Sequence, residues 1–400
     1  MTTLDFWLIV VVFVILCVYL IIENIVHNNS IKSIPIRIHN GTRGKSSVAR
    51  LIAAGVRAGG YRTVAKTTGT LARYIDVDGS ETPVFRIGSN IAEQVKIMFK
   101  ARRAKADAIV IECMALQPLL QSLCELKLIK ATHGVLTNAR PDHLDVMGPT
   151  ERDVAKALAA TVPVGAKYFT AEDIHLDFFE YACKDRGELI AATAQDAEKI
   201  SDEEINKFVY SEFKINVALA LKVIDDLGIP REIALKGMWE ATPDPGAMTE
   251  YNFNIKAEIN FANAFAANDP VSTKMLWDKL CAKYSGCDKK VLVVNCRDDR
   301  EDRSKQMAEA ALGWQKQDLI VLIGTGTEVF TSFYKYAKSL NKPMTKVIVC
   351  EEMTPIQILE KTVDSNPANS YILVGVGNIK DIGMELVDYC DTSHKKKHNL

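Results

Sequence analysis

The sequence lacks the excess of basic residues that nucleic-acid-binding proteins carry. Its 400 residues include 49 Lys and Arg against 50 Asp and Glu, which gives a formal net charge of -1. A chain without an overall basic field has no general attraction for nucleic-acid phosphates. The run at 395–397 is three lysines long and is typical of a solvated terminus. We therefore expect no nucleic-acid partner.

The sequence also lacks the cysteine spacings of a zinc site. Its 9 cysteines are scattered, with no C-x-x-C pair and no Cys/His cluster at metal spacing. Scattered cysteines are typical of reduced thiols that face a cytosol. The chain has no internal repeat and no low-complexity segment. Its length fits two globular domains of about 100–200 residues each.

Charge is absent from one long stretch, residues 6–22. This apolar run approaches the ~20 residues that a bilayer-spanning helix needs. Asp5 precedes the run and Glu23 follows it, so the basic leading region and small-residue cleavage site of a secretory signal are both missing. We therefore expect an uncleaved single-pass anchor within residues 1–27. A buried core helix is the alternative interpretation.

The charges that flank the apolar run predict its orientation. The nearest basic residues, Lys32 and Arg37, lie after the run, and Asp5 lies before it. Because cytoplasmic flanks carry the excess of Lys and Arg, we expect the amino terminus outside and the body of the protein in the cytoplasm. ATP is available on that side of the membrane.

A glycine-rich stretch at residues 39–47 is the first motif that indicates a chemistry. Its sequence, His-Asn-Gly-Thr-Arg-Gly-Lys-Ser-Ser, lies between a strand predicted at 34–38 and a helix predicted at 45–58. Glycines let backbone N–H groups turn toward an anion, Lys45 can reach the terminal phosphates, and the Ser46 hydroxyl suits Mg²⁺. We predict an ATP site formed by Gly41, Thr42, Arg43, Gly44, Lys45, Ser46 and Ser47.

This stretch departs from the usual G-x-x-x-x-G-K-[ST] pattern, because His39 stands where that pattern has glycine. The alternative is a glycine-rich turn before an ordinary helix. The order of strand, loop, Lys45-Ser46 and helix favours the nucleotide site.

Two more groups of polar side chains follow predicted strands. Glu112 ends a strand predicted at 107–112, and residues 137–145, Thr-Asn-Ala-Arg-Pro-Asp-His-Leu-Asp, follow a strand predicted at 132–137. Because loops after parallel strands meet at one crevice, we expect both groups near Lys45. Glu112 can hold Mg²⁺ directly or through water. Helix caps are the alternative for both groups.

Apolar runs alternate with helical patterns along the chain, which predicts an α/β fold. The first series predicts a P-loop ATPase domain with a mostly parallel sheet, and the second predicts a smaller, Rossmann-like α/β domain. Ala-Thr-Pro-Asp-Pro-Gly at 241–246 indicates the boundary. We expect an anchor, an ATPase domain, a carboxy-terminal domain and a basic tail at 1–27, 28–245, 246–392 and 393–400.

These motifs, in this order, resemble the central ATPase domain of the Mur ligases and folylpolyglutamate synthases. The resemblance rests on Gly-Thr-x-Gly-Lys-Ser-Ser at 41–47, Glu112, Thr-Asn-x-x-x-Asp-His-Leu-Asp at 137–145 and Asn216 in an Asn-x-Ala-Leu-Ala helix. It implies a Mur-ligase-like fold. It also implies a ligase that joins an amine to a carboxylate at the expense of ATP.

The second domain resembles the same family more loosely. Residues 260–270 are similar to the family's Asp-Tyr-Ala-His-x-Pro segment, and residues 297–305 are similar to its arginine-bearing loop. The resemblance thus extends over residues 34–390.

The resemblance also implies the positions of the functional groups. Lys45 would hold the β- and γ-phosphates, and two Mg²⁺ ions would accompany ATP, one on Ser46 and Glu112 and the other on His143. The remaining implied contacts to the nucleotide come from Asn138, Asn216, Asp269 and Arg303, the last two on closure of the second domain.

The chain departs from the family in two respects. Mur ligases have an amino-terminal domain for a UDP-sugar, whereas the short segment before residue 34 is mostly anchor, so we expect no UDP-muramyl substrate. Many relatives use a carbamoylated lysine near the metals. Lys156 lies close to that position but in imperfect register, and a solvated helix residue is the alternative.

The arrangement of anchor, ATPase domain and second domain resembles the ligase subunits of bacterial poly-γ-glutamate synthases. This resemblance implies that glutamate is joined through its γ-carboxylate to a growing polymer at the cytoplasmic face of the cell membrane, for a capsule or exopolymer. It implies small membrane subunits as partners. Whether the chain forms a homo-oligomer is left open by the sequence.

Two other functions fit parts of this pattern. A membrane-tethered P-loop ATPase could energise transport or assembly without a covalent product, and its turnover would not respond to amino acids. A Mur-type or folylpolyglutamate-type ligase could act on a small acceptor, in which case the anchor would be dispensable.

Overall fold

The computed structural model describes residues 3–41, 45–68, 72–84, 90–140, 143–244, 247–267, 269–314, 317–339, 345–363 and 368–398. The chain forms two compact units, Met1–Asp244 and Pro245–Leu400. The predicted α/β fold with mostly parallel sheets is confirmed.

The first unit is built on an eight-stranded sheet. Its strands are β1 (Ile36–Gly41), β2 (Thr63–Lys66), β3 (Arg73–Ile75), β4 (Glu81–Pro83), β5 (Ala108–Glu112), β6 (His133–Leu136), β7 (Ala166–Thr170) and β8 (Gly187–Ala191). Their order is β4-β3-β2-β5-β1-β6-β7-β8. The six strands β2, β5, β1, β6, β7 and β8, in that spatial order, pair in parallel. The strands β3 and β4 form an antiparallel edge beside β2.

Eleven helices surround this sheet in the described part of the unit. They are α1 (Thr3–Lys32), α2 (Lys45–Ala58), α3 (Glu93–Arg103), α4 (Pro118–Leu123), α5 (Leu144–Met147), α6 (Glu151–Leu158), α7 (Leu176–Cys183), α8 (Ala194–Glu198), α9 (Asp202–Ile205), α10 (Lys214–Asp226) and α11 (Arg231–Trp239). A π-helical turn, Cys124–Ile129, continues α4, and a 3₁₀ turn, Ala159–Thr161, continues α6.

The second unit has a six-stranded sheet in the order β13-β12-β11-β14-β10-β9, in which only β9 is antiparallel to its neighbour. These strands are β9 (Thr249–Asn254), β10 (Glu258–Asn263), β11 (Lys289–Cys296), β12 (Leu319–Gly324), β13 (Lys346–Val349) and β14 (Ser370–Val376). The helices are α12 (Pro270–Lys283), α13 (Glu301–Ala311), α14 (Thr327–Ser339), α15 (Pro355–Thr362) and α16 (Ile382–His398), with a 3₁₀ turn at Asp298–Arg300.

The helix α1 is exposed at one end and buried at the other. Its apolar side chains from Phe6 to Ile22 are exposed, apart from the half-buried Val10 and Cys17, and by length and composition the helix could cross a membrane. From His27 onward the helix packs into the first unit, where Ser30 is fully buried and Ile31 contacts the core around Met98. The apolar segment therefore joins the first unit through one unbroken helix, longer than the apolar run in the sequence.

The helix α2 matches the predicted range of 45–58 and packs tightly against α10 and α11. Glycine permits the close approach, because a Cβ at Gly55 would lie 2.4 Å from Ile224 Cδ1. Apolar residues such as Leu51 and Ile52 are fully buried on this helix. This packing fixes the start of α2 beside the sheet.

Several predicted elements differ from the structure. The strand predicted at 34–38 begins after Pro35, which has no N–H to pair, and continues to Gly41 between β5 and β6. The basic tail predicted at 393–400 is helical as far as His398. It packs on β9, where His394 Nδ1 lies 3.0 Å from the Asn252 backbone nitrogen.

A buried ion pair lies beneath the end of β1. His39 Nδ1 is 2.7 Å from Glu125 Oε2, and both side chains are 1% exposed. Glu125 Oε1 also accepts a hydrogen bond of 2.7 Å from the Ala131 backbone N–H. Burial by itself lowers the pKa of His39, but Cys113 and Glu125 outweigh it and raise that pKa to about 10. His39, which stands where the usual loop pattern has glycine, thus joins β1 to the π-helical turn.

Replacing Glu125 by Gln should lower the free energy of unfolding by about 3–5 kcal/mol, because a buried charge loses its partner. The His39 pKa rises from 6.5 to about 10 on folding, so the ion pair stabilises the fold fully below pH 6.5. This contribution should disappear as the pH rises toward 10. Urea denaturation at several pH values measures both effects.

The control is Glu188→Gln on the exposed face of β8, which should change stability by no more than about 0.5 kcal/mol. Parallel stability profiles for the unaltered protein and Glu125→Gln between pH 6 and 10 would contradict the assignment of a charged His39.

Candidate active site

A buried carboxylate, Glu112, lies at the centre of the candidate site. Ser46 Oγ donates a 2.8 Å hydrogen bond to Glu112 Oε2, and the Thr68 backbone N–H donates another of 2.7 Å to the same oxygen. The Thr68 hydroxyl donates to Oε1. Glu112 is fully buried, so these donors replace the water that its carboxyl oxygens would otherwise bind.

The sheet order brings three loops to one edge. In register, Asn40 of β1 lies opposite Glu112 of β5, and Gly41 lies opposite Leu136 of β6. Neighbouring strands are about 4.8 Å apart and all three run in parallel, so the segments that follow them leave the sheet side by side. The glycine-rich stretch, Glu112 and the segment after Leu136 therefore share this edge, as the sequence predicts.

The described part of the glycine-rich stretch consists of the end of a strand and the start of a helix. Gly41 ends β1, and Lys45 begins α2, whose first turn carries Ser46 and Ser47 and no acidic residue. The N–H groups at a helix start favour a negative charge. Of the predicted residues, Thr42, Arg43, Gly44 and the side chain of Lys45 lie outside the described structure.

The segment after β6 has an unusual backbone. His143 has φ of 48° and ψ of 50°, a left-handed conformation that is uncommon for residues other than Gly but is enriched in His, Asn and Asp, and it precedes α5. Asn138 Oδ1 accepts a 3.2 Å hydrogen bond from the Arg140 N–H, so the segment begins with a turn. Asp142 and the side chain of Asp145 lie outside the described residues.

A residue absent from the sequence prediction, Glu172, holds this segment. Its Oε2 accepts a 2.6 Å hydrogen bond from the Ala139 N–H, and its Oε1 accepts bonds of 2.9 and 2.8 Å from the N–H groups of Ile174 and His175. Glu172 is only 5% exposed. Glu172 follows β7, the neighbour of β6, much as Glu112 ends β5. An acid directly after a predicted strand was the signal in the sequence that could have identified Glu172.

A second missed carboxyl group, Glu212, orients Asn216. Asn216 Nδ2 donates a 2.8 Å hydrogen bond to Glu212 Oε1, which also accepts from the Phe213 N–H. Burial raises the pKa of Glu212, against the lowering effect of these hydrogen bonds. Asn216 thus lies in the first turn of α10 with its amide fixed.

A buried lysine, Lys66, lies at the same edge of the sheet. It ends β2, lies opposite Ile111 in β5, and is fully buried. Its Nζ is 2.6 Å from Glu93 Oε1 at the start of α3. The sequence alone does not single out Lys66, because a strand pattern does not distinguish a buried lysine from one at an exposed strand end.

Lys156, unlike Glu112, has a mostly exposed side chain. Its side chain is 55% exposed, pairs with Asp153 at 3.6 Å and lies over the Phe178 ring with Nζ 5.8 Å from the centroid. This setting agrees with the alternative interpretation of a solvated helix residue and supplies no buried ligand position for a carbamate.

Two predicted residues lie in the second unit. Asp269 caps α12, because its Oδ1 accepts a 2.9 Å hydrogen bond from the Ser272 N–H. Arg303 lies in the first turn of α13 and lines a pocket within that unit.

The donor set fits a magnesium nucleotide rather than a metal bound by protein alone. Within the described residues, no three His, Cys, Asp or Glu side chains converge on a possible metal position. Mg²⁺ usually binds through one or two protein oxygens together with phosphate and water. The Ser46 hydroxyl donates a hydrogen bond to Glu112, so the lone pairs of the Ser46 oxygen can face a cation beside the helix start.

Comparison with known proteins identifies close relatives. Residues 40–219 match the Mur ligase middle domain family, and residues 248–393 match the family described as poly-gamma-glutamate synthase CapB C-terminal domain. The capsule biosynthesis protein CapB of Bacillus anthracis is 38% identical, over 94% of this chain and 80% of the relative. The PGA synthase CapB of Bacillus subtilis (strain 168) is 36% identical, over 96% of this chain and 97% of the relative.

Solved structures share the fold. A bifunctional folylpolyglutamate synthase/dihydrofolate synthase with Mn, AMPPNP and L-glutamate bound has a TM-score of 0.62 at 13% identity, and the match covers 92% of this chain and 93% of that one. At this identity the likeness shows the fold alone. The resemblance predicted from the motifs is confirmed by the relatives.

Replacing Glu172 by Gln should lower turnover, because an amide N–H₂ group would face backbone N–H donors and displace the Asn138–His143 segment. The loss of these bonds should also reduce stability by about 1–3 kcal/mol. Steady-state kinetics and thermal unfolding measure the two effects.

Glu204→Gln is the matched control, since Glu204 accepts a 2.9 Å hydrogen bond from the Ser201 N–H at a site on α9. It should reduce stability without changing turnover. Equal turnover in both variants would show that Glu172 has only a structural effect.

Proposed function

The chain belongs to the CapB family of poly-gamma-glutamate synthases, and from this premise we propose that it is an ATP-dependent ligase. It joins the γ-carboxylate of glutamate to an amine and so extends poly-γ-glutamate. The Mur-ligase-type fold and the two matched families support an amide-forming reaction that produces ADP and phosphate.

The observation that carries this function is the contact between Ser46 and Glu112. A hydroxyl at the start of α2 and a buried carboxylate at the end of β5 lie 2.8 Å apart beside the glycine-rich stretch. This pairing is suited to a divalent cation on nucleotide phosphates, and a manganese ion and AMPPNP are bound in the structural relative.

The reaction has two steps. A γ-carboxylate oxygen of glutamate attacks the γ-phosphorus of ATP, the bond to the ADP oxygen breaks, and an acyl phosphate forms. The amine nitrogen then attacks the acyl carbon, phosphate leaves, and the nitrogen loses a proton. The first step brings two anions together, so their charge must be neutralised and the reacting atoms must be held in line.

We assign the groups of the first unit by this need. Lys45 holds the β- and γ-phosphates, and Ser46 with Glu112 would hold Mg²⁺, which supplies charge neutralisation. His143, at its left-handed position, would hold a second ion. Asn138 and Asn216 contact the nucleotide. The mechanism gives Lys156 no part.

We further propose that the apolar part of α1 anchors the enzyme in the cell membrane with its body in the cytoplasm. The exposed side chains from Phe6 to Ile22 support a bilayer as their surroundings. Synthesis at the membrane shortens the path of a polyanionic product that must leave the cell. Small membrane subunits that carry the product outward are the proposed partners.

The test of the function is to incubate membranes that contain the protein and its neighbouring subunits with ATP, Mg²⁺ and labelled glutamate. ADP, phosphate and a γ-linked polymer are the expected products. ATP turnover that is unchanged by glutamate, without polymer, would instead favour an ATPase that energises transport.

Lys45→Ala should abolish ATP hydrolysis, since the phosphates lose the ammonium group of Lys45, while the circular dichroism spectrum stays unchanged. His143→Ala should reduce turnover far more than nucleotide binding. Lys236→Ala, on the exposed face of α11, is the control and should behave like the unaltered enzyme. Unchanged hydrolysis in either active-site variant would remove that residue from the mechanism.

Removing residues 1–22 should release the protein from membranes into the soluble fraction. The truncation ends before His27, Ser30 and Ile31, because those side chains are buried in the first unit. Flotation of cell membranes on a density gradient separates the two forms. A truncated chain that still floats with membranes would contradict the assignment of α1 as the anchor.

A further inference from the structure

A group of cations lies at the base of the helix α1, where that helix enters the first unit. The group consists of Lys96, Lys100 and Arg103 on α3 and of Lys127 and Lys130 at the π-helical turn, and all five side chains are exposed. We call these five residues the basal patch. They are distant from α1 in the sequence, so they are independent of the flanking charges that predict the orientation of the anchor.

Packing of three elements places the basal patch beside α1. Ile31 of α1 belongs to one hydrophobic cluster with Met98 of α3 and Ile129 of the π-helical turn. Lys130 Nζ donates a 3.2 Å hydrogen bond to Asn28 Oδ1 of α1. Both α3 and the π-helical turn therefore lie against the last turns of α1.

The distance from the apolar run to the first unit equals the depth of a lipid headgroup layer. Beyond Ile22, the first buried side chain of α1 is His27, five residues later, which is about 7.5 Å along a helix. The headgroup region of one leaflet is about 5–8 Å deep. When α1 spans the bilayer as proposed, the surface beside His27 and Asn28 thus meets the headgroups of the inner leaflet.

One face of α3 combines cations with an exposed aromatic ring. The buried side chains of this helix are Gln94, Ile97, Met98 and Ala101. The opposite face carries, at helical spacing, Lys96, Phe99, Lys100 and Arg103. Phe99 is 43% exposed. An exposed ring among cations suits a headgroup layer, in which the ring can reach the acyl boundary while the cations bind phosphates.

The cations of the basal patch have no acidic partner among the residues that the structure describes. Residues 94–106 include five cations and no acid, and residues 126–132 include two cations and no acid. Exposed lysines elsewhere pair with acids on their own helix, as Lys395 does with Asp391 at 2.6 Å. In a chain with a formal net charge of -1, the basal patch is therefore a local excess of positive charge.

From this placement we propose that the basal patch binds the phosphate groups of anionic phospholipids in the inner leaflet. This inference rests on the proposed anchoring by α1. The cytoplasmic leaflet carries a negative surface potential that attracts cations next to a membrane-spanning helix, and ammonium and guanidinium groups donate hydrogen bonds to phosphate oxygens. The patch and the anchor together hold the first unit in one orientation at the bilayer, whereas a single helix would leave the unit free to tilt.

The test uses the full-length protein in micelles of a nonionic detergent that contain equal amounts of phosphatidylglycerol and phosphatidylcholine. After gel filtration at low or high salt, mass spectrometry measures the ratio of the two lipids that remain bound. We expect at least about a fivefold preference for phosphatidylglycerol at low salt, because one cation beside anionic headgroups favours binding about fivefold. The preference should decrease at high salt.

Two paired variants remove cations from separate elements. Lys96→Gln with Arg103→Gln, and Lys127→Gln with Lys130→Gln, should each lower the preference for phosphatidylglycerol at least about twofold. Lys100 is retained, because its Nζ lies over an aromatic ring at 3.5 Å from the centroid.

The matched control is Lys184→Gln with Lys236→Gln, which removes two exposed lysines of the first unit outside the basal patch. The control should keep the preference of the unaltered protein. Thermal unfolding of all three paired variants should match that of the unaltered protein, which excludes a folding defect.

Three results would overturn the proposal. One is equal retention of both lipids by the unaltered protein. Another is a loss of preference in the control pair as large as that in the patch variants. The third is displacement of phosphatidylglycerol by an equal concentration of a γ-linked glutamate oligomer of eight residues, which would assign the patch to the acidic product. Failure of the anchor would appear separately, as full-length protein that does not float with membranes.

Discussion

The structure of the first unit depends on supplying hydrogen-bond donors to one buried carboxyl group, that of Glu112. Glu112 is fully enclosed, and its oxygens accept hydrogen bonds from Ser46 and from the backbone and hydroxyl of Thr68. Burying such a polar group is costly unless donors surround it, so the start of α2 and the segment that follows β2 must lie where they do. The same arrangement places a hydroxyl and a carboxylate where a cation on nucleotide phosphates would bind.

The elements around this group act as supports rather than ligands. Gly55 lets α2 approach α10, and the His39–Glu125 pair joins β1 to the π-helical turn. Glu172 ties the Ala139 N–H group, next to Asn138, to the N–H groups of the segment after β7. Each uses a buried polar or packing contact to fix a loop at the edge of the sheet. Precise placement of phosphates requires such supports, because displacements near 1 Å greatly reduce the rate of group transfer.

Local patterns predicted much of this unit. The range of α2 and the end of β5 at Glu112 followed from apolar spacing, and the neighbouring positions of the three loops followed from the parallel sheet. The short antiparallel strands β3 and β4 were missed, because three-residue strands carry little pattern. Glu212 and Lys66 were missed, because their importance comes from partners distant in the chain. The family resemblance suggested Lys156, whereas the exposure of this side chain depends on how α6 packs.

Activation of the γ-carboxylate as an acyl phosphate, as proposed, requires one oxygen atom to pass from glutamate to the released phosphate. Glutamate labelled with ¹⁸O in its γ-carboxylate should be incubated with the enzyme, ATP and Mg²⁺, and the released phosphate analysed by mass spectrometry. One ¹⁸O atom is expected in each phosphate released with amide formation. Amide formation that yields phosphate without ¹⁸O would contradict it.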